Sequence, residues 1–201
     1  MKEDCVKIDI YTHVMPSRYK NALYQYSDKF MTEKTFMERR ISLTDHNERI
    51  QILDHDEDVV QVLSVTLPPL EEIVNPKEAA ELARIANDEM AESVAKYPKK
   101  YITAIANLPL NDIEASMKEA ERAMKELRFK GIQIFTSVQG KPLSSEEFMP
   151  LYTMMSDFDL PIWIHPLRRS SVPDYPTENN SFHQIFLYIN IFWCYICQLI
   201  N

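Results

Sequence analysis

The chain has 201 residues, 45% apolar and 26% charged, with a formal net charge of -8, which is long enough for one well-buried domain. That acidic balance excludes nucleic acid and anionic membrane as expected partners, because both demand clustered Lys and Arg. Three cysteines without regular spacing fit a reducing compartment, and residues 1–20 lack the features of a signal peptide, so a soluble cytoplasmic protein is expected.

Val6–Ile10 is the first strand-like run, and it leads into Asp9-Ile10-Tyr11-Thr12-His13. In an extended strand side chains alternate, so Asp9, Tyr11 and His13 are expected on one face. Residues 17–43 are polar and dotted with aromatics, as in a loop over an active-site mouth. That stretch carries Arg39-Arg40, and Arg168-Arg169 follows the fifth strand-like run; a guanidinium at either place can grip a carboxylate with two parallel hydrogen bonds. A helix from about Asp45 to Asp54 is expected to bury Ile50 and Leu53 and leave His46 and His55 on the surface.

Val59–Val65 is the second strand. Asn75 before Pro76, with Glu78 three residues on, starts a helix whose Leu82, Ile85, Ala86, Met90, Val94 and Tyr97 form one stripe, ended by Pro98. Tyr101–Ala106 is the third strand, and Asn111 or Asp112 opens a helix with Ile113, Met117, Ala120, Met124 and Leu127 inward. Ile132–Phe135 is the fourth strand, and Ser144 with Glu147 has the spacing of a capping box ahead of Phe148, Leu151, Met155 and Phe158. Ile162–Ile164 is the fifth strand and runs into His165-Pro166. Such repeated strand–helix alternation implies parallel strands with right-handed crossovers.

His165, closing a buried strand, is placed as a metal ligand, although a lone strand-end histidine is more often structural. Paired with His13 on another strand it gains weight, because imidazoles converging at strand ends make a metal site. Two glycines are few where average usage of roughly 7% predicts about a dozen. Turns needing positive φ must then use other residues, at about 1 kcal/mol each. Residues 184–201 form an atypical apolar tail after a domain spanning 1–183. The tail is too short and too interrupted by Asn190 for a membrane span of about 20 residues. Its Cys194 and Cys197 have the spacing of a zinc or redox pair, but a single pair is weak evidence. His183 takes no role.

Four stretches resemble the amidohydrolase-related family that includes aminocarboxymuconate semialdehyde decarboxylase: Ile8 to Pro16, Val60 to Ser64, Phe129 to Ile134 and Pro161 to Pro166. The resemblance runs in order from residue 6 to about residue 183. It implies an α/β fold, a metal-dependent hydrolase-type (β/α)8 TIM barrel left incomplete, with about five strand–helix units. It implies a divalent metal, zinc first and manganese as the alternative. The implied activity is nonoxidative decarboxylation of a small unsaturated or aromatic carboxylic acid, with hydrolysis as the runner-up. By position His13 and His165 match metal ligands, and Arg40 matches a substrate-binding arginine. Tyr11 stands where the decarboxylase pattern has its first histidine. Its phenol either hydrogen-bonds at the metal's edge or packs in the barrel top. The family's proton-transferring histidine after strand six and metal-binding aspartate after strand eight would lie beyond residue 201. A truncated gene product is therefore expected, and an inactive fragment that pairs as a homodimer is a third reading. The resemblance also leads to helix-ending positive φ at Glu57 and Arg128.

Overall fold

The computed structural model describes residues 6–56, 58–136 and 138–166. Glu57, Arg168-Arg169, His183 and the apolar tail with Cys194 and Cys197 lie outside the described residues. Five parallel strands follow one another around the sheet: β1 (Lys7–Val14), β2 (Val59–Val65), β3 (Tyr101–Ala104), β4 (Ile132–Phe135) and β5 (Ile162–His165). β3 and β4 are joined where the Lys130 N–H donates to the Ala104 carbonyl at 3.1 Å, the Ala106 N–H to the Gly131 carbonyl and the Gln133 N–H to the Ala106 carbonyl, the last two at 2.9 Å. That sequential order is the first five strands of an eight-stranded barrel.

The helical layer forms where the sequence signals it. Helix α6 (Pro76–Lys96) opens on a capping box: Asn75 accepts from the Glu78 N–H and Glu78 accepts from the Asn75 N–H. Helix α7 (Ile113–Lys125) is capped by Asp112, which accepts from the Ala115 N–H. Leu82, Ala86 and Met90 of α6 and Ala120 and Met124 of α7 are buried, as the stripes predict. A polar seam welds the two helices. Fully buried Asn87 donates to the Asn107 carbonyl at 3.0 Å and to Glu119 at 2.7 Å, and accepts from the Asn107 N–H at 2.9 Å. Arg122 grips Glu119 through two nitrogens and reaches Asp88 at 2.7 Å.

The stretch 17–43 is not a loop. It folds as α1 (Ser17–Leu23), a 3-10 turn (Tyr24–Lys29), α2 (Met31–Glu38) and α3 (Ile41–Thr44), burying Tyr19, Leu23, Phe30 and Met37. Tyr19 and Phe30 are core residues, whereas Tyr24 and Tyr26 are partly buried and Phe36 is exposed. The start of α1 has no side-chain cap of its own; Glu89 of α6 accepts from the Arg18 and Tyr19 N–H groups at 2.9 and 2.7 Å. Helix α4 (His46–His55) begins under Asp45 as expected and buries Leu53, with Ile50 partly buried.

Other expectations fail in detail. Ser144 and Glu147 form no capping box, because a 3-10 turn (Glu146–Phe148) intervenes before α8 (Met149–Asp157) and Glu147 pairs with Lys141. On the strands, Ile8, Ile10 and Ile102 remain 45–56% exposed. Arg128 does take the left-handed conformation, φ 61°, and Asp159 ahead of β5 does the same at φ 53°. Among the described residues no helix is long and apolar enough to cross a membrane.

Candidate metal centre

At the carboxyl ends of β1 and β5, three rings converge. The His13 and His165 rings lie 5.1 Å apart, and Tyr11 is 5.1 Å from His13 and 5.9 Å from His165. β1 brings Tyr11 and His13 together through a bulge. Asp9 pairs with Gln61 and Thr12 with Leu63, so two residues of β1 face one of β2 between them. The bulge breaks the simple alternation and takes Asp9 out of the cluster. Its carboxylate accepts from the Tyr11 N–H and from the Gln61 amide instead. The expectation that Asp9, Tyr11 and His13 share one face therefore holds only for the last two.

Hydrogen bonds decide the tautomers. Ser64 donates its one hydroxyl proton to the Thr12 carbonyl at 3.0 Å, so at 2.8 Å from His13 it must accept from an Nδ1–H. His165 Nδ1 is 3.0 Å from the Pro166 carbonyl, which can only accept. Both imidazoles thus carry their proton on Nδ1 and leave the Nε2 lone pair for a ligand. That is how metal-binding histidines are held. Burial, then the facing His165 and the Arg49 guanidinium, push the His13 pKa down to about 4, against a smaller upward pull from Asp9. Burial likewise lowers His165. Both rings stay neutral near pH 7, as metal ligation requires.

Arg49 is the support that sequence reading missed. It is buried, donates to the His13 carbonyl at 2.8 Å and the Ser42 carbonyl at 3.0 Å, and binds Gln61 Oε1 through two nitrogens. Its place one turn before Leu53, on the buried stripe of α4, was the available signal. Ser64 gave another, as a polar residue inside an apolar strand. Phe135 completes the wall, 4.8 Å from the His165 ring. His46 is not a surface residue: both ring nitrogens are buried, it lies edge-on to Tyr101, and burial lowers its pKa. His55 is exposed as expected. Arg40 is exposed in the α2–α3 link, its guanidinium 3.4 Å over the Phe36 ring and hydrogen-bonded to the Phe36 carbonyl. Among the described residues no third His, Cys, Asp or Glu joins His13 and His165.

The amidohydrolase family model matches residues 8–195. The chain belongs to the amidohydrolase family. A 2-amino-3-carboxymuconate-6-semialdehyde decarboxylase of Dictyostelium discoideum is 31% identical over 80% of this chain and 49% of its own length. A gamma-resorcylate decarboxylase of a Polaromonas species is 32% identical over 68% of this chain and 44% of its own length. Among solved amidohydrolases, the 5-carboxyvanillate decarboxylase of Novosphingobium aromaticivorans, complexed with manganese and 4-hydroxy-3-methoxy-5-nitrobenzoic acid, superimposes with a TM-score of 0.68 at 27% identity. That match covers 81% of this chain and 50% of the other. A Polaromonas dihydroxybenzoic acid decarboxylase with bound manganese and 2-nitroresorcinol gives 0.66 at 28% identity, covering 82% and 50% of the two chains. The chain thus spans about half the length of the relatives it matches.

Proposed function

We propose that this chain carries one side of the active site of a metal-dependent nonoxidative decarboxylase acting on a small aromatic or unsaturated carboxylic acid. The observation that carries the reading is the pair of imidazoles on β1 and β5, each held through Nδ1 so that Nε2 is left to bind. Two neutral nitrogen donors suit a divalent ion, zinc or manganese alike, as part of a larger donor set. When bound, such an ion supplies Lewis acidity toward substrate oxygens. His13 and His165 would hold it. Tyr11, with its hydroxyl 3.5 Å from the Ile164 carbonyl, would stand beside the ion rather than bind it. Phe135 walls the site with an aromatic face, suited to a ring-bearing acid. Arg40 is proposed to turn from Phe36 to the substrate carboxylate, within a cytoplasmic protein that pairs as a homodimer.

The decarboxylases among the relatives, two solved with manganese beside aromatic ligands, support this reading over hydrolysis. A metal-binding chain without turnover is the second reading, because the two imidazoles can hold an ion on their own chemistry.

The test is to purify the full chain, measure bound zinc and manganese by mass spectrometry, and follow carbon dioxide release from 2,6-dihydroxybenzoate and 5-carboxyvanillate. Metal with turnover sustains the proposal, and Arg40→Ala should then raise KM without changing metal content. Metal without turnover selects the second reading, and a metal-free protein that will not take up either ion overturns both.

A further inference from the structure

β1 and β5 are not hydrogen-bonded neighbours, yet side chains tie them together across the sheet. The Trp163 indole N–H donates to the Ile10 carbonyl at 2.9 Å, and the Tyr11 hydroxyl donates to the Ile164 carbonyl at 3.5 Å. Ile10 lies in the bulge and has no partner in the β1–β2 register, so the bulge is what leaves its carbonyl available. The far edge of the same indole rests on β4: a Cβ at Gly131 would lie 2.5 Å from Trp163 Cζ3 and 2.5 Å from the Pro161 carbonyl oxygen. One of the chain's two glycines therefore stands where the indole needs room. Trp163 is thus wedged against β4 and bonded to β1, two residues before His165.

The Nδ1 hydrogen bonds of His13 and His165 fix how each ring is turned. They do not fix how far apart the rings are, because Ser64 lies on β2 and Pro166 follows β5 directly. The indole bridge, shorter than the Tyr11–Ile164 contact beside it, spans the gap between the two ligand strands. We infer that Trp163 is a positioning residue for the metal centre, setting the separation of His13 and His165 by bracing β5 against the β1 bulge. The inference rests on the metal-centre reading above, but its test needs no substrate and has one arm that needs no metal.

In the full chain, Trp163→Phe keeps an aromatic wedge and removes the N–H. Cobalt(II) affinity should fall about three- to tenfold, the range expected for one lost hydrogen bond, and the visible cobalt spectrum should change while the melting temperature stays close to that of the parent. In metal-free protein labelled at the histidine ring nitrogens, the His13 and His165 signals should shift. Replacing Trp163 by benzothienylalanine, which swaps only N–H for sulfur, should do the same and serves if Trp163→Phe misfolds. Unchanged cobalt affinity and spectrum, or unchanged ring signals, overturn the inference. A parent chain that binds no cobalt removes the metal-centre reading alone. The ring signals then decide the brace by themselves.

Discussion

The two sides of the sheet are built on opposite terms. The α6–α7 side joins its charged and amide groups to one another: Asn87 makes three hydrogen bonds, Arg122 answers both Asp88 and Glu119, and two caps start the helices. The barrel-facing side leaves Ile8, Ile10 and Ile102 half exposed and turns two imidazole lone pairs into space. The contrast teaches that stability and chemistry are separated here by the thickness of one sheet. The Asn87–Arg122 seam on the helical side is made from its own residues, whereas the inner side presents groups suited to a ligand.

If that separation is real, His13→Ala or His165→Ala should weaken metal binding by at least about a hundredfold, more than losing a supporting contact does. The melting temperature should hardly move, because a desolvated nitrogen is removed along with the ring. Chelator competition and calorimetry on the same samples check both halves. A large loss of stability would break the comparison.

The pH response separates the sides further. His13, depressed to about 4, is protonated more readily in the unfolded chain, so it makes stability rise with pH between about 4 and 6.5. Glu71 of α5 (Leu70–Ile73) is raised by burial to about 7, so the folded state holds its proton longer and stability falls as pH rises from about 4.5 to 7. Each effect is of order 3–4 kcal/mol, at about 1.4 kcal/mol per pKa unit. They oppose one another, and the parent should show a shallow profile across that window. Glu71→Gln should expose the acid-side loss due to the histidines, and His13→Ala should leave the opposite slope. Denaturant melts at pH 4.5, 5.5 and 6.5 read both, and parallel profiles in all three proteins would contradict the assignment.

On the closed side, Asn87→Ala strands the buried Asn107 N–H and should cost about 1–3 kcal/mol while leaving metal affinity untouched. Smallest of the set, Ser64→Ala frees His13 Nδ1 from its acceptor. It should weaken metal about tenfold with little effect on the denaturation midpoint.

Much of this was legible from local chemistry. The five strands, the Asn75–Glu78 cap and the stripes of α6 and α7 follow from periodicity and capping rules that involve only neighbouring residues, while the left-handed Arg128 follows from the family resemblance. His13 and His165 were named from their strand-end positions and from the family resemblance. The helices within 17–43 are hidden from a local reading because the start of α1 is capped by Glu89, about 70 positions away. Arg49 was passed over because nothing local marks a guanidinium as buried; its acceptors are the His13 and Ser42 carbonyls and Gln61.

The sequence by itself determined the strand–helix order, the caps and the types of residue that could bind a metal. These depend on backbone propensity and short-range hydrogen bonds. Only the tertiary structure decided that a bulge removes Asp9 from the cluster, that Ser64 and Pro166 set the histidine tautomers, and that Trp163 braces β5 against β1. Those outcomes depend on strand register and on contacts between residues up to 153 positions apart, which no local pattern encodes.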